Sequence, residues 1–350
     1  MPVMVNTELA KPDHAPATWL AADIGGTTVR FALLSAAGQL VGKVSYMRCA
    51  DFPGPEAAAR DFLQRMGNAR PTVAAFAVAA AVNANGRPDA VMLTNSVWEF
   101  SRESVKSALG LDHLLVINDF EALALALPSL HPGQYQVFSG PAPLATRAPM
   151  AVIGPGTGLG VAGSIPTHNG WVAAAGEGGH ATLAETDDFE ADILRVVRGK
   201  FPHVSAERLL SGIGLPTLYW AVAQVHGGGS VDVLAPHQIT QLAADNDVHA
   251  AKTINLFCGL LGSFAGNVAL TFGARGGVYI GGGIVPKLGD LFVQSSFRER
   301  FEAKGRFREY LEAIPTPLLV APDVALIGAG QAIAAFLGNR KESGCPVKLQ

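Results

Sequence analysis

The sequence predicts a soluble α/β protein of two lobes, and three observations lead to this prediction. The chain has 350 residues, which is enough for about two domains. Short apolar stretches that suit buried strands alternate with stretches of helical periodicity. A unit of strand, glycine-rich turn and β-hairpin occurs twice, once at Asp23 and once at Gly154. Two α/β halves that each present such a turn fit two lobes that close on one ligand.

Composition excludes several classes of protein. Apolar residues make up 49% of the chain and charged residues 16%, so the chain can build large cores. The net charge of −3 gives no reason to expect a nucleic-acid or membrane partner, and three scattered cysteines indicate neither a disulfide framework nor a zinc site. The longest apolar run, residues 73–82, is too short to span a bilayer, and residues 1–18 lack the apolar core of a signal peptide. We therefore expect a cytoplasmic protein.

The first half is predicted to carry strands and helices in alternation. Strands are predicted at residues 19–22, 29–34, 40–47, 73–82 and 114–117. Helices are predicted at residues 55–66, 101–109 and 120–127. Ser101 is the expected N-cap of the second helix and Gly110 its stop signal.

The second half repeats this organisation. We expect a strand at residues 150–153, a hairpin turn at 168–170, helices from 190 to about 271, a strand at 278–280 and a helix at 325–337. In that last helix Gly328 and Gly330 permit close packing against another helix. Residues 17–128 plus 325–340 are predicted to form a small domain and residues 129–324 a large one. Residues 1–16 and 341–350 are predicted to be flexible tails.

Two glycine-rich turns indicate phosphate binding. Asp23 ends a strand, where its carboxylate can hold Mg²⁺ through water while Gly25, Gly26 and Thr27 take phosphate oxygens. The series of glycines from 154 to 160, with Gly156-Thr157-Gly158 as a second phosphate cradle, suits backbone that approaches a ligand closely. Neither the P-loop pattern nor the dinucleotide pattern G-x-G-x-x-G is present. The two turns together imply a nucleoside triphosphate with its metal.

Polar residues at three other turns suit a polyhydroxylated ligand. Asp119 follows a buried strand and can accept a proton as a general base, or it is only the N-cap of the next helix. Glu177 and His180 flank a Gly-Gly pair, which is either a ligand site or an ordinary surface turn. Glu207 begins a predicted helix, where it is either a ligand or an acid that complements the helix dipole. Such groups together can match hydroxyls that both donate and accept hydrogen bonds.

In their order along the chain, these segments resemble the bacterial glucokinase family. The resemblance covers residues 20–337, and the Glu-Gly-Gly-His and Ser-Ala-Glu-Arg segments distinguish this family from the wider hexokinase, actin and heat-shock-chaperone superfamily. It implies an α/β, two-lobed actin-like ATPase (ribonuclease H-like) fold with the active site in the interlobe cleft. The matching segments are Asp23-Ile24-Gly25-Gly26-Thr27, Asn118-Asp119-Phe120, Gly156-Thr157-Gly158-Leu159-Gly160, Gly176-Glu177-Gly178-Gly179-His180, Ser205-Ala206-Glu207-Arg208-Leu209-Leu210-Ser211-Gly212 and Gly281-Gly282-Gly283-Ile284-Val285-Pro286.

The resemblance also implies a reaction and a role for each residue. The γ-phosphoryl group of MgATP would pass to the 6-hydroxyl of D-glucose, giving glucose 6-phosphate and ADP in the first step of glycolysis. Asp119 would be the catalytic base, and the glucose ligands would be Asn118, Asp119, Glu177, His180 and Glu207. The ATP-binding residues would be Asp23, Ile24, Gly25, Gly26, Thr27, Thr28, Gly156, Thr157, Gly158, Gly281, Gly282 and Gly283. Asp23 would hold Mg²⁺ through water, and the family suggests a homodimer.

Three alternatives remain open at this point. A ROK-type kinase, or a hexose kinase of broader specificity, uses a similar Glu-x-Gly-His segment, but ROK kinases typically carry a cysteine-rich zinc motif that is missing between Cys49 and Cys258. A non-catalytic sugar-sensing regulator should carry a DNA-binding helix-turn-helix, for which the residues before Leu20 are too few. An actin-like filament protein would have no use for Asp119 beside sugar ligands.

Overall fold

The computed structural model describes residues 19–80, 89–93, 98–227 and 234–343, with side chains as far as residue 338. Within this part of the chain there are two compact units, one reaching Ile117 and resuming at Ala329, the other running from Asn118 to Gly328. The predicted tail at 1–16, the last two residues of the predicted strand 73–82 and the end of the chain beyond Ser343 lie outside the described residues. The predicted domain limits stay a prediction.

The first unit is built on a five-stranded sheet in the order β3-β2-β1-β4-β7. Its strands are β1 (Trp19–Ile24), β2 (Thr28–Leu34), β3 (Leu40–Arg48), β4 (Val73–Val78) and β7 (His113–Asn118), with β5 (Ala90–Met92) and β6 (Glu99–Ser101) as a separate pair. Its helices are α1 (Pro55–Arg65) and α2 (Arg102–Leu109). These elements confirm the predicted alternation in the first half of the chain.

Local signals in the sequence explain where these elements lie. Ser101 caps α2, since its Oγ accepts a hydrogen bond from the Ser104 N–H at 3.0 Å. Gly110 ends the helix with a φ of 65°, a conformation that glycine adopts without steric cost. The core of this unit joins the sheet to α1, where Phe31 stacks on Phe62 with ring centres 5.5 Å apart.

The second unit is built on a six-stranded sheet in the order β11-β10-β9-β12-β13-β8. Its strands are β8 (Tyr135–Gln136), β9 (Met150–Pro155), β10 (Leu159–Thr167), β11 (Gly170–Gly176), β12 (Val278–Ile280) and β13 (Leu318–Leu319). Its helices are α3 (Asp119–Ala126), α4 (Asp188–Arg198), α5 (Gly214–Val225), α6 (Pro236–Ala244), α7 (Val248–Phe272), α8 (Val285–Leu288), α9 (Asp290–Val293), α10 (Phe297–Glu302) and α11 (Arg308–Glu312). The last helix, α12 (Val324–Ser343), begins in this unit and ends in the first.

The two sheets confirm the internal repeat that the sequence predicts. In the first, β1 pairs antiparallel with β2 and parallel with β4. In the second, β9 pairs antiparallel with β10 and parallel with β12. In each sheet the glycine-rich turn therefore joins the first two strands of the same pattern.

Helix α7 is the central core element of the second unit. Among the described helices it is the one long and apolar enough to cross a membrane by length and composition, but 83% of its most apolar window is buried inside the protein. Its glycines permit close contact with neighbouring elements: a Cβ on Gly262 would lie 2.1 Å from the Phe297 carbonyl oxygen of α10. This burial is typical of a core helix.

Two predictions about helices need correction. The predicted helix at Glu207 is absent, because residues 206–210 form tight turns and α5 begins only at Gly214, whose N–H the Ser211 hydroxyl accepts. The final helix continues past its predicted end to Ser343, since an isolated helical glycine at 338 is tolerated. Helix α3 packs on β9, β10 and β11, within the unit that runs from Asn118 to Gly328.

Candidate active site

Asn118 and Asp119 have separate roles at the start of α3. The Asn118 Oδ1 accepts the Phe120 N–H at 2.9 Å and the Glu121 N–H at 3.3 Å, while the Glu121 carboxylate accepts the Asn118 N–H. This reciprocal capping box makes Asn118 the N-cap, so the alternative that Asp119 is the N-cap is wrong. Asp119 is the first helical residue, and its Oδ1 accepts the Phe120 N–H at 3.0 Å. Capping therefore does not explain Asp119.

The turn between β9 and β10 is tight and is fixed from one side. The Gly156 N–H donates to the Gly158 carbonyl at 2.8 Å, and the Gly212 N–H donates to the Gly156 carbonyl at 2.7 Å. A Cβ on Gly156 would meet nothing within 4 Å, and Thr157 is exposed. The turn thus has an open side at which an anion can approach its backbone.

Glu207 connects this turn with the polar residues on the neighbouring loop. Its Oε2 accepts the Leu159 N–H at 2.8 Å, and a Cβ on Gly158 would lie only 2.4 Å from that oxygen. Its backbone N–H donates to the Gly179 carbonyl at 2.8 Å. One residue therefore fixes the β9–β10 turn and the Gly178–His180 segment together.

His180 lies between two carboxylates. Its Nε2 is 3.6 Å from Glu207 Oε1, and its Nδ1 is 3.9 Å from Glu177 Oε2. The side chains of Glu177 and His180 are more than half exposed, so a ligand can reach them. The position of His180 depends on Gly179, where a Cβ would lie 2.0 Å from the Leu159 carbonyl oxygen. The Gly-Gly pair is therefore required by packing against β10, and it presents the two polar groups.

The third glycine loop follows β12 and is bound to the end of β9. The Gly281 N–H donates to the Ile153 carbonyl at 2.7 Å, and the Ile284 N–H donates to the Pro155 carbonyl at 3.2 Å. Gly282 has a φ of 78°, and a Cβ there would lie 2.4 Å from the Pro155 oxygen. Gly281, Gly282 and Gly283 therefore lie beside the phosphate turn that the sequence predicts at Gly156–Gly158.

The other predicted phosphate turn belongs to the first unit. Asp23 lies opposite Arg30 across the β1–β2 hairpin, and the two side chains form an ion pair that the sequence analysis missed. The Gly25 N–H donates to the Thr28 carbonyl at 3.0 Å, which closes the turn. Thr27 and Thr28 are exposed, and Ile24 is buried. The turn presents backbone and hydroxyl groups above a buried, charge-paired aspartate.

Two of the glycines near the second turn serve a purpose other than ligand approach. Gly154 and Gly160 lie opposite each other in the β9–β10 ladder, and the Phe120 ring packs against both. At these two positions the group that approaches the backbone closely is the Phe120 ring. The sequence carried a signal for this pairing. Gly154 and Gly160 are each three residues from Thr157, so they face each other in a hairpin that turns at Thr157.

The comparisons agree with the resemblance seen in the sequence. The glucokinase family model matches residues 20–336. The glucokinase of Aromatoleum aromaticum is 46% identical over 315 residues, which is 90% of this chain and 94% of the relative. The "Bifunctional protein glk" of Paraburkholderia xenovorans is 45% identical over 334 residues, covering 93% of this chain and 50% of the relative. The chain therefore spans about half the length of the bifunctional relatives it matches.

Solved structures match the fold as well. The crystal structure of glucokinase from an Antarctic psychrotroph has a TM-score of 0.81 and 38% identity, and the match covers 92% of this chain and 98% of that one. A ROK-family glucokinase from Streptomyces griseus matches with a TM-score of 0.57 and 20% identity, a likeness of fold alone. These matches confirm the predicted α/β fold of the actin-like ATPase type. The chain is a member of the glucokinase family.

Proposed function

We propose that this protein is an ATP-dependent glucokinase, which transfers the γ-phosphoryl group of MgATP to the 6-hydroxyl of D-glucose and releases glucose 6-phosphate and ADP. This would be the first step of glycolysis, carried out in the cytoplasm. Relatives named glucokinase support the assignment. Two structural neighbours also bear on it, since a Balamuthia mandrillaris glucokinase was crystallised with glucose and the Streptomyces griseus protein with glucose and AMPPNP.

The observation that carries this proposal is the double attachment of Glu207. One oxygen of its carboxylate accepts the Leu159 N–H at the end of a phosphate-type turn, and the other lies 3.6 Å from His180 in the polar set suited to a sugar. A surface turn with incidental charge would have no reason to join these two features. Their connection is what a site needs if it holds a hydroxyl next to a phosphate.

In the proposed mechanism Asp119 acts as the general base. Its carboxylate stands in the first turn of α3, where the helix dipole favours a negative charge. It would accept the proton of the 6-hydroxyl as that oxygen attacks the γ-phosphorus and the bond to the bridging oxygen of ADP breaks. Asn118, Glu177, His180 and Glu207 would orient the sugar through its remaining hydroxyls. Phosphoryl transfer depends mainly on such positioning and on charge stabilisation.

The nucleotide would be held by the three glycine loops. Backbone N–H groups of Thr157 and Gly158 would bind one part of the triphosphate, while the Gly156 N–H closes their turn by donating to the Gly158 carbonyl. Backbone and hydroxyl groups of the turn at Asp23–Thr28 would bind another part. Gly281, Gly282 and Gly283 would contact the adenosine. Glucose would complete the site, and the need for bound glucose would limit the transfer of the phosphoryl group to water.

The residues present fit one of the usual binding modes of Mg²⁺, in which the ion keeps most of its waters and is held by a carboxylate and the substrate's phosphates. The described residues contain no group of three His, Cys, Asp or Glu side chains that could form a protein cage for a metal. For the hydrated mode, Asp23 and the adjacent hydroxyls suffice. When bound, Mg²⁺ would neutralise charge on the phosphate oxygens. Asp23 would hold its water shell, and Arg30 would keep the carboxylate in place.

A coupled assay of ADP formation with glucose and MgATP tests this function. We expect turnover that needs both substrates, and a higher kcat/KM for glucose than for mannose, fructose or glucosamine. No glucose-dependent ADP formation would contradict the proposal, and glucose binding without turnover would instead indicate a sugar sensor. A higher kcat/KM for another hexose would indicate a kinase of broader specificity.

We further propose a homodimer, which light scattering of the purified chain would test.

A further inference from the structure

The Phe120 ring occupies a socket formed by two glycines that face each other. Gly154 in β9 and Gly160 in β10 are direct partners in the antiparallel ladder. A Cβ on Gly160 would lie 2.0 Å from Phe120 Cε2 and 2.1 Å from its Cδ2, and a Cβ on Gly154 would lie 2.5 Å from its Cζ. Real Cβ atoms do not approach ring carbons this closely, so both positions must be glycine for the ring to remain where it is.

This socket flanks the phosphate turn. Gly154 and Gly160 lie immediately before and after residues 155–159, so the ring rests on the base of the hairpin whose tip is Gly156–Gly158. Phe120 is also the residue next to Asp119, and its N–H donates to the Asp119 carboxylate. The socket therefore places the proposed base and the phosphate turn in one packed unit.

The rest of the Phe120 environment agrees with a role in positioning. The ring is only partly buried and packs at the edge of the apolar cluster between α3 and the sheet. Several small residues in that cluster, such as Ala124 and Ala162, already bring α3 close to the sheet without Phe120. The contact with the two glycines fixes the N-terminal end of α3, where Asp119 stands.

We propose that Phe120 is a positioning residue, which sets the distance between the Asp119 carboxylate and the phosphate turn by seating its ring between Gly154 and Gly160. This inference rests on the proposed function, because the distance matters only if Asp119 takes a proton from a hydroxyl that attacks phosphorus. A displacement of about 1 Å at such a site lowers turnover by about 100-fold. The effect should appear in kcat, because Phe120 itself would touch no substrate.

A double-mutant cycle separates this positioning role from two simpler explanations. These are a direct role of Gly160 towards the ligand and general strain in β10. The variants are Phe120→Ala, Gly160→Ala and the double variant, with Phe120→Leu as the milder change if Phe120→Ala does not fold. We expect Phe120→Ala to lower kcat by about 100-fold with the KM for glucose within a few-fold of wild type. Gly160→Ala should lower kcat by at least about tenfold in the wild type but by less than about threefold with Phe120→Ala, since the ring is then absent.

Gly163→Ala is the matched control. Gly163 lies in the same strand β10, and a Cβ there would lie 2.8 Å from Phe272 Cδ1, so this variant also presses a methyl group on a phenylalanine ring. We expect it to lower Tm by about as much as Gly160→Ala, with kcat close to wild type. An equal loss of kcat in Gly163→Ala would overturn the inference, because any strain in β10 would then suffice.

Three further outcomes separate the inference from the proposed function and from a role of Phe120 in binding. If Gly160→Ala lowers kcat equally with and without the Phe120 ring, Gly160 serves the ligand and the inference is wrong while the function stands. If the wild-type protein has no glucose-dependent turnover, the proposed function is wrong and the inference falls with it. If Phe120→Ala and Phe120→Leu raise the KM for glucose at unchanged kcat, Phe120 acts on binding and not on the position of the base.

Discussion

At the scale of single residues, neighbouring polar groups have different roles, one structural and the other chemical. Asn118 caps α3, which leaves its neighbour Asp119 without a capping role. Glu207 uses one oxygen for a backbone N–H and turns the other towards His180. Glu177 is the most exposed of these acids and contacts only the imidazole among the ion pairs described. The three carboxylates should therefore respond differently to substitution.

Asp119→Asn tests the base. The substitution keeps the size of the side chain but removes the group that accepts the proton, so kcat should fall by about 10²–10⁴-fold. The protein should remain folded, because Asn118 and Glu121 form the capping box without Asp119. Steady-state kinetics with a thermal melt check both points. Turnover within a few-fold of wild type would remove Asp119 from the mechanism.

Glu177→Gln and Glu207→Gln form a matched pair. Loss of a charge-assisted hydrogen bond of about 1.5–3 kcal/mol should raise the KM for glucose by roughly 10- to 100-fold in each variant. Glu177→Gln should leave the KM for ATP nearly unchanged. Glu207→Gln should raise the KM for ATP as well. The substitution weakens the hydrogen bond that the Leu159 N–H at the phosphate turn donates to this side chain. Equal effects of the two variants on the KM for ATP would contradict this division.

At the scale of elements, glycines decide which segments can pack closely. Helix α12 crosses α3 at Gly328, where a Cβ would lie 1.7 Å from the Ala122 carbonyl oxygen. Gly330 of the same helix lies against the β2–β3 turn, where a Cβ on Gly330 would lie 3.3 Å from the Gly38 carbonyl oxygen. The prediction of close packing against another helix is therefore confirmed at Gly328, whereas at Gly330 the close neighbour is a hairpin turn and not a helix.

Gly328→Ala should destabilise the protein strongly. The atom in the way is a backbone carbonyl of α3, which cannot turn aside as a side chain can, so we expect a loss of about 1–3 kcal/mol or more in the free energy of unfolding. Gly338→Ala in the same helix is the control, since a Cβ there would meet nothing within 4 Å. It should stabilise by up to about 1 kcal/mol through helix propensity. Equal Tm values for the two variants would contradict the packing argument.

Glu121 should make the stability of the protein depend on pH. Burial raises the pKa of this carboxyl above its ordinary value of 4.5, so the folded state binds the proton more tightly than the unfolded state. Stability from this group is full below pH 4.5 and is lost as the pH rises through the raised pKa. Glu121→Gln keeps the capping box and does not ionise. The free energy of unfolding of Glu121→Gln minus that of wild type, measured with urea, should increase as the pH rises through that interval. A difference that does not change with pH would refute the prediction.

At the scale of the whole molecule, the residues proposed for the sugar belong to one unit. Asn118, Asp119, Glu177, His180 and Glu207 all lie between Asn118 and Gly328, in the unit whose core surrounds α7. The phosphate turn at Gly156 and the loop at Gly281 belong to the same unit, and the turn at Asp23 to the other. Glucose alone should therefore stabilise the second unit.

Hydrogen exchange followed by mass spectrometry can measure that stabilisation. Glucose at about 100 times its Kd adds about 2.7 kcal/mol to the stability of the state that binds it. We expect slower exchange in peptides that cover residues 155–160, 176–181 and 205–212, and a much smaller effect of the same glucose concentration on Glu177→Gln. Unchanged exchange in these peptides at saturating glucose would contradict the proposed sugar residues.

The sequence by itself determined the longer strands, most helices, the internal repeat and the family, but it did not predict the short strands β5, β6, β8 and β13. These depend on local signals, such as the Ser101 cap, the buried apolar run at β4 and the glycines that end strands. Helix ends were less well determined: the sequence placed Glu207 in a helix, because it carries no signal that residues 206–210 turn back under the β9–β10 hairpin.

Only the tertiary structure decided what each glycine and each acid does. Gly156 and Gly160 look alike in the sequence, but one faces open space and the other lies under the Phe120 ring. Asn118 and Asp119 are equally good N-caps by type, and the reciprocal bond with Glu121 selects Asn118. These assignments depend on contacts between residues far apart in the chain, and such contacts arise only when the hairpin, α3 and the 205–212 segment pack together.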